Sequence, residues 1–230
     1  MKNINNTQQY QVDSSLQIKA FVNINFICTK NYPQKIRKNF RFLKCLGKGG
    51  TSEVFLVRNK QTGKLFALKM IAKSHLSEYK RLEQLLRERK ILIDAQKAPF
   101  IANLHACFES ENHLNFLLEF YCGGELFFHL QNRKLTENEA KFYFAEILMC
   151  FEYLHEHKIL YRDLKPENIV LDIEGHVRLT DFGLSKIGMQ KNDMTDSFCG
   201  SPEYMAPEVK DQKVLKKQKD VNGFKMQIGE

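Results

Sequence analysis

None of the 6 cysteines in this 230-residue chain sits in a CxxC pair, so zinc ligation by paired thiolates has no support. Most of them lie inside apolar runs, where a free cysteine behaves as a small hydrophobe. Reduced thiols in a cytoplasmic or nuclear protein are the expectation. No apolar stretch approaches the ~20 residues of a membrane span, so no transmembrane segment is expected. Asn and Gln interrupt every apolar run near the N-terminus, which argues against a secretory signal. The Gly-Lys-Ser/Thr ending of a Walker loop is missing. The lysines behind the net charge of +8 are scattered, and no base-reading module is visible. That favours a solvated basic surface, and no nucleic-acid partner is expected.

The composition, 43% hydrophobic and 27% charged, suits one globular domain with irregular ends. Residues 1–11 are Asn- and Gln-rich and read as disordered. Ile18, Ala20, Val22, Ile24 and Phe26 alternate with mostly polar neighbours, the period of a strand. From Phe40 a strand pattern continues through Leu46, resumes at Val54–Val57, turns at Gln61-Thr62-Gly63-Lys64 and resumes at Leu65–Ile71. Residues 77–95 read as a helix with Leu82, Leu85, Leu86 and Ile93 on one face. His113 to Phe120 alternates as a strand pair would, and Gly123-Gly124 breaks the chain. Thr136 followed by Glu139 is a capping box that opens a helix to about His157. Strands first and helices second make an α+β pattern, a small sheet lobe followed by a helical lobe.

The chemistry gathers in two short stretches. Leu160-Tyr161-Arg162-Asp163-Leu164-Lys165-Pro166-Glu167-Asn168 is followed by Asp181-Phe182-Gly183. Asp163 can accept a proton from an attacking hydroxyl. Lys165 can neutralise a transferring phosphoryl group, and Asn168 and Asp181 offer oxygens to magnesium. Gly47-Lys48-Gly49-Gly50-Thr51-Ser52-Glu53-Val54 lies between two strands, where backbone N–H groups can approach phosphate oxygens. Taken alone it reads as a hairpin turn. Lys69 sits in an otherwise apolar strand, and Glu88 on the following helix can pair with it. Taken alone, Glu88 is one more surface charge between Arg87 and Arg89.

Together these motifs resemble those of a eukaryotic protein kinase over residues 40–208. Asp-Leu-Lys-Pro-Glu-Asn is similar to the serine/threonine form of the catalytic loop. Tyr161, Cys122-Gly123-Gly124-Glu125-Leu126 and Phe198-Cys199-Gly200-Ser201-Pro202-Glu203-Tyr204 resemble the AGC group, the relatives of cyclic-AMP-dependent kinase. The resemblance implies a bilobal fold with an N-lobe at about 40–118, a hinge at 119–124 and a partial C-lobe at 125–208. Residues 1–39 are then an N-terminal extension and 209–230 a non-homologous lysine-rich tail. It implies ATP and Mg2+ as cofactors and transfer of the γ-phosphate to Ser/Thr hydroxyls of protein substrates. Gly47 and Gly49 would cover the phosphates, and Lys69 would hold them and pair with Glu88. Leu46, Val54, Ala67 and Val170 would sandwich the adenine. Glu119 and Tyr121 would offer hinge backbone behind a Leu118 gatekeeper, and Glu125 would contact the ribose. Asp163 would be the base, and Asn168 and Asp181 would hold the metal. Glu125 and Glu167 would favour substrates with upstream basic residues. Ser197 aligns with the activation-loop phosphosite, where an activating kinase would add a phosphate pairing with Arg162 and Lys186.

Three departures stand against the family pattern. Ser52 replaces the third glycine of the phosphate loop, and weakened ATP binding is the expectation. Gln84 stands where a charged helix residue often grips the activation phosphate. After Glu208 the Asp-x-Trp-x-x-Gly helix is not recognisable, and the chain contains no tryptophan. A helical lobe truncated after Ala206-Pro207-Glu208, with an exposed apolar patch on the capped helix, is therefore expected. The competing reading is a catalytically weak or inactive kinase-like module that binds nucleotide or a partner protein.

Overall fold

The computed structural model describes residues 36–76, 79–189 and 199–207. The residues 1–35, and with them the expected strand near Ile18 to Phe26, lie outside that set. So do Ser197, Glu208 and the expected tail. A short helix α1 (Ile36–Asn39) leads into β1 (Phe40–Lys48), β2 (Ser52–Asn59) and β3 (Leu65–Ala72). The turn between β2 and β3 closes where expected. Asn59 Oδ1 accepts from the backbone N–H of Gln61 and Thr62, at 2.9 and 3.0 Å. Helix α2 (Tyr79–Asp94) follows, then β4 (Leu104–Glu109) and β5 (His113–Glu119). All neighbours pair antiparallel in the order β1-β2-β3-β5-β4.

Strand β4 went unread in the sequence, and the reason is its burial. Leu104, Ala106, Cys107 and Phe108 are all buried, so no period of two shows. β5 departs from its expected alternation for the same reason. Leu114, Asn115, Phe116 and Leu117 are buried in succession. Asn115 is tolerated there because its amide donates to Phe108 O, Ser110 Oγ and His113 O.

The second part is built on α3 (Leu126–Asn132) and α4 (Glu137–Glu156). It also carries the short strands β6 (Gly124–Glu125), β7 (Ile159–Leu160), β8 (Ile169–Leu171), β9 (Val177–Leu179) and β10 (Lys186–Ile187). The capping box of α4 is present. Glu139 N donates to Thr136 Oγ1 at 3.3 Å, and Thr136 N donates to Glu139 Oε2 at 2.8 Å. Cys150 and Leu154 face the core from α4, whereas Phe144, Leu148 and Met149 face outward. The apolar patch expected on this helix is thus exposed among the described residues. One hydrophobic cluster runs through both parts, from Ile71, Leu82 and Phe116 to Leu126, Leu154 and Tyr161. A second, with Phe40, Val57, Phe66 and Leu68, lines the other face of the five-stranded sheet.

Candidate functional site

β3 carries Lys69 opposite Val54 of β2 and Phe116 of β5. Its ammonium reaches 2.7 Å from Glu88 Oε1 of α2 and 3.4 Å from Asp181 Oδ1 of the second part. Helical packing explains why Glu88 points inward. It lies on the face of α2 that carries the buried Leu85, Ile91 and Leu92, and it is only 5% exposed. Glu88 is therefore no surface charge. Burial alone would pull the Lys69 ammonium down, but Glu88 and Asp181 outweigh it and hold it above its ordinary value. The same ammonium holds the Asp181 carboxyl below the usual range, against the effect of burial. Burial pushes Glu88 up, opposed by Lys69.

The loop between β7 and β8 supplies three more groups. Asp163 is 8% exposed, and Lys165 Nζ lies 3.1 Å from its Oδ2. Asn168 Nδ2 donates to Asp163 O at 2.8 Å and to Oδ2 at 2.9 Å. Pro166 and the 3-10 turn at Pro166–Asn168 bring Asn168 back onto Asp163. Thr180 N and Oγ1 both donate to Asn168 O, which fixes the approach to Asp181. Beneath, the Tyr161 and Phe182 rings meet edge to face at 5.3 Å, and Tyr161 donates its hydroxyl to Thr180 O. Arg162 and Asp181 both take left-handed backbone, φ 72° and 53°. Such strain persists only where the surroundings over-determine it.

Ser201 went unassigned in the sequence, although it stands in the quoted Cys199-Gly200-Ser201 run. Its hydroxyl donates to Asp163 Oδ1 at 3.0 Å and accepts from Lys165 Nζ at 2.9 Å. Gly200 makes this possible. Its φ is +110°, and a Cβ there would lie 2.6 Å from Arg162 O, so only glycine fits. The residue type at 200 was the available signal.

The residues expected on the nucleotide side come mostly from β1, β2 and β3 of the first part and from β6 and β8 of the second. Gly47 pairs with Val54, and Ala67 pairs with Leu118. Leu46, next to Gly47 near the end of β1, is 40% exposed. Gly49 N donates to Ser52 O at 2.8 Å, which closes the loop. Ser52 begins β2 opposite Ile71, and it is not among the described residues with positive φ. The replacement of a glycine there strains no backbone. Glu125 pairs with Val170 across β6 and β8. The Glu119 side chain turns away from the joint to Lys64 and His105. Burial would raise its carboxyl, but those hydrogen bonds lower it. Arg162 donates through Nε to Leu184 O at 2.8 Å. No cluster of three or more His, Cys, Asp or Glu able to hold a metal exists among the described residues. No helix there is long and apolar enough to cross a membrane.

Geometry alone defines an α+β protein of two parts, with two lysines, three carboxylates and an amide gathered where they join. The model of the protein kinase domain matches residues 40–224. Serine/threonine-protein kinase Sgk3 of Rattus norvegicus is 48% identical over 188 residues, covering 81% of this chain and 38% of that protein. Sgk2 of Homo sapiens is 45% identical over 192 residues, with 83% and 52% covered. The RAC family serine/threonine-protein kinase homolog of Dictyostelium discoideum is 45% identical over 183 residues, with 77% and 41% covered. The chain belongs to the eukaryotic protein kinase family, and its similarity to the Sgk proteins makes it AGC-type. It spans between about two fifths and half the length of these relatives.

Proposed function

We propose that this chain binds Mg-ATP between its two parts and transfers the γ-phosphate to Ser/Thr hydroxyls of basic protein substrates. The carrying observation is the convergence of Asp163, Lys165 and Ser201 beside Asn168, with Lys69 and Asp181 joined across the cleft. In this reading residues 119–124 form the hinge, and residues 1–39 precede the kinase-like unit, which the family match carries to residue 224.

The residues fit a magnesium ion held partly by nucleotide. Asn168 commits its nitrogen to Asp163, which leaves the amide oxygen as its ligand atom. The Asp181 carboxyl stays ionised beside Lys69. One carboxylate and one amide are too few for a protein cage, but they suit magnesium, which takes its other oxygens from phosphate and water. When bound, magnesium draws charge off the phosphate oxygens. Lys69 holds the α- and β-phosphates, and the hinge backbone of Glu119 and Tyr121 takes the adenine. Asp163 takes the proton of the substrate hydroxyl as its oxygen bonds to the γ-phosphorus and the bridging bond to ADP breaks. Lys165 neutralises the charge that develops, and Ser201 holds both groups in place.

A basic substrate fits the carboxylates of Glu125 and Glu167. Burial and then the Glu167 charge push Glu125 up, so the two lie close enough to repel. Glu167 Oε2 is buried with no hydrogen-bond partner among the described residues. A guanidinium would satisfy both. Phosphorylation of Ser197 by an activating kinase, with Arg162 and Lys186 as the cations that donate to the phosphate, completes the proposal.

The second reading, a module that binds nucleotide or a partner without transfer, draws support from the outward Phe144, Leu148 and Met149 of α4. Phosphate transfer from labelled Mg-ATP to an arginine-rich serine peptide, by the full chain and by Asp163→Ala, separates the two. We expect transfer by the chain and none by the variant, with ATP binding kept in both. Folded, ATP-binding protein that transfers nothing would favour the second reading.

A further inference from the structure

The hinge reading uses only the backbone of Tyr121, yet its side chain is the better anchored part. The phenol reaches back to the segment before β4, where Asn103 N donates to the Tyr121 hydroxyl at 3.0 Å. Asn103 O in turn accepts from Glu119 N at 2.9 Å. One residue thus grips the hinge twice, through the main chain at Glu119 and through a side chain at Tyr121. The Arg178 guanidinium of β9 lies 5.6 Å from the centre of the Tyr121 ring, within cation–π range. Asp172 holds it there at 3.0 and 3.2 Å.

The anchorage continues toward the chemistry. Ala102 N donates to Leu179 O, and Leu179 N donates to Phe100 O, at 3.0 and 2.8 Å. Thr180, the next residue, donates to Asn168 O, and Asn168 donates to Asp163. A path of hydrogen bonds and single peptide links therefore joins the hinge to the proposed base. Its main-chain links tolerate many side chains. The link at Tyr121 does not, because only a hydroxyl at that reach can accept the Asn103 N–H.

We propose that Tyr121 is a positioning residue for nucleotide recognition: its hydroxyl on Asn103 and its ring under Arg178 fix where the hinge backbone meets adenine. The inference rests on the ATP reading above. Adenine recognition by two backbone groups needs those groups held to a fraction of an ångström. A half-buried N–H that loses its acceptor drives local rearrangement. The hinge would shift, and the phosphate side, held by Lys69 and Asp181, would not.

Tyr121→Phe tests this, because it keeps the ring, the stacking and the volume and removes only the hydroxyl. Affinities for adenosine, Mg-ATP and Mg-tripolyphosphate are measured on the full chain by calorimetry. We expect adenosine and Mg-ATP to weaken by the same factor, about fivefold as befits one hydrogen bond, and tripolyphosphate to hold its affinity. Arg178→Gln should weaken the first two in the same sense. Unchanged adenosine affinity in Tyr121→Phe overturns the proposal. So does an equal loss for tripolyphosphate, which would mark general loosening rather than hinge positioning. A failure of the ATP reading itself would show differently: the unaltered chain would bind neither adenosine nor Mg-ATP, and the proposal would fall with it.

Discussion

Lys69 is asked to serve two carboxylates at once, Glu88 at 2.7 Å and Asp181 at 3.4 Å. Glu88 has the greater need, since its side chain is only 6% exposed. Removing the cation leaves a buried carboxylate facing another carboxylate. Loss of one partner from a buried pair costs about 3–5 kcal/mol, because the remaining charge is uncompensated. Lys69→Met is therefore expected to lower stability by roughly that much in urea unfolding. Adding Glu88→Gln should recover most of the loss, while nucleotide binding stays impaired in both variants. A double variant no more stable than the single one would show that Glu88 is not the strained partner. Asp163 presents the opposite case. Its surroundings are all hydrogen-bonding, from Lys165, Asn168 and Ser201. Its identity was legible because the loop spells out its chemistry in adjacent residues. Ser201 was not, because its partner lies 38 positions away and only the fold brings them together.

Among the elements, α4 is the one whose start depends most visibly on local sequence. Arg133 donates to both oxygens of Glu139, and Glu139 closes the capping box with Thr136. Thr136→Ala should cost about 1 kcal/mol, as lost N-caps do, read as a lowered unfolding midpoint. Glu139 adds a pH dependence. Its carboxyl falls from the ordinary 4.5 to about 2, first through Arg133 and then through Thr136. A depressed carboxyl stabilises fully above its unfolded value and loses that contribution as pH falls through the folded one. Glu139→Gln should thus melt earlier than the unaltered chain at pH 7, and the gap should close between pH 4.5 and about 2. A gap independent of pH would remove the charge from the explanation. The same helix marks the limit of local reading. The cap was legible because donor and acceptor are three residues apart. β4 was not, because a strand buried on both faces shows no alternation, and the buried Asn115 in β5 has its partners supplied by β4, by the turn at Ser110 and by the start of β5. Tyr121 falls in the same class, since its hydroxyl finds Asn103 only after β4 and β5 pair.

For the molecule as a whole, the question is whether the two parts unfold as one. The pairing of Lys69 from the first part with Asp181 from the second makes the question matter for the proposed site. The join is made by the segment between α2 and β4. Ile101 is 1% exposed within the cluster common to both parts and forms a parallel bridge with Leu179. Phe100 and Ala102 on either side bond to Leu179 through the main chain. Truncating a buried isoleucine costs about 2–5 kcal/mol through lost contact and residual cavity. Ile101→Ala should therefore destabilise by that order, and the loss should be shared. Amide hydrogen exchange reads it directly, since amides opening in one cooperative unit lose protection together. We expect β5 and α4 to lose protection by the same factor. If β5 alone were affected, the shared cluster would be two cores in contact, and the spacing between Lys69 and Asp181 would rest on their ion pair. That outcome would predict a stronger salt dependence of nucleotide binding, because a half-exposed pair is screened where a buried core is not.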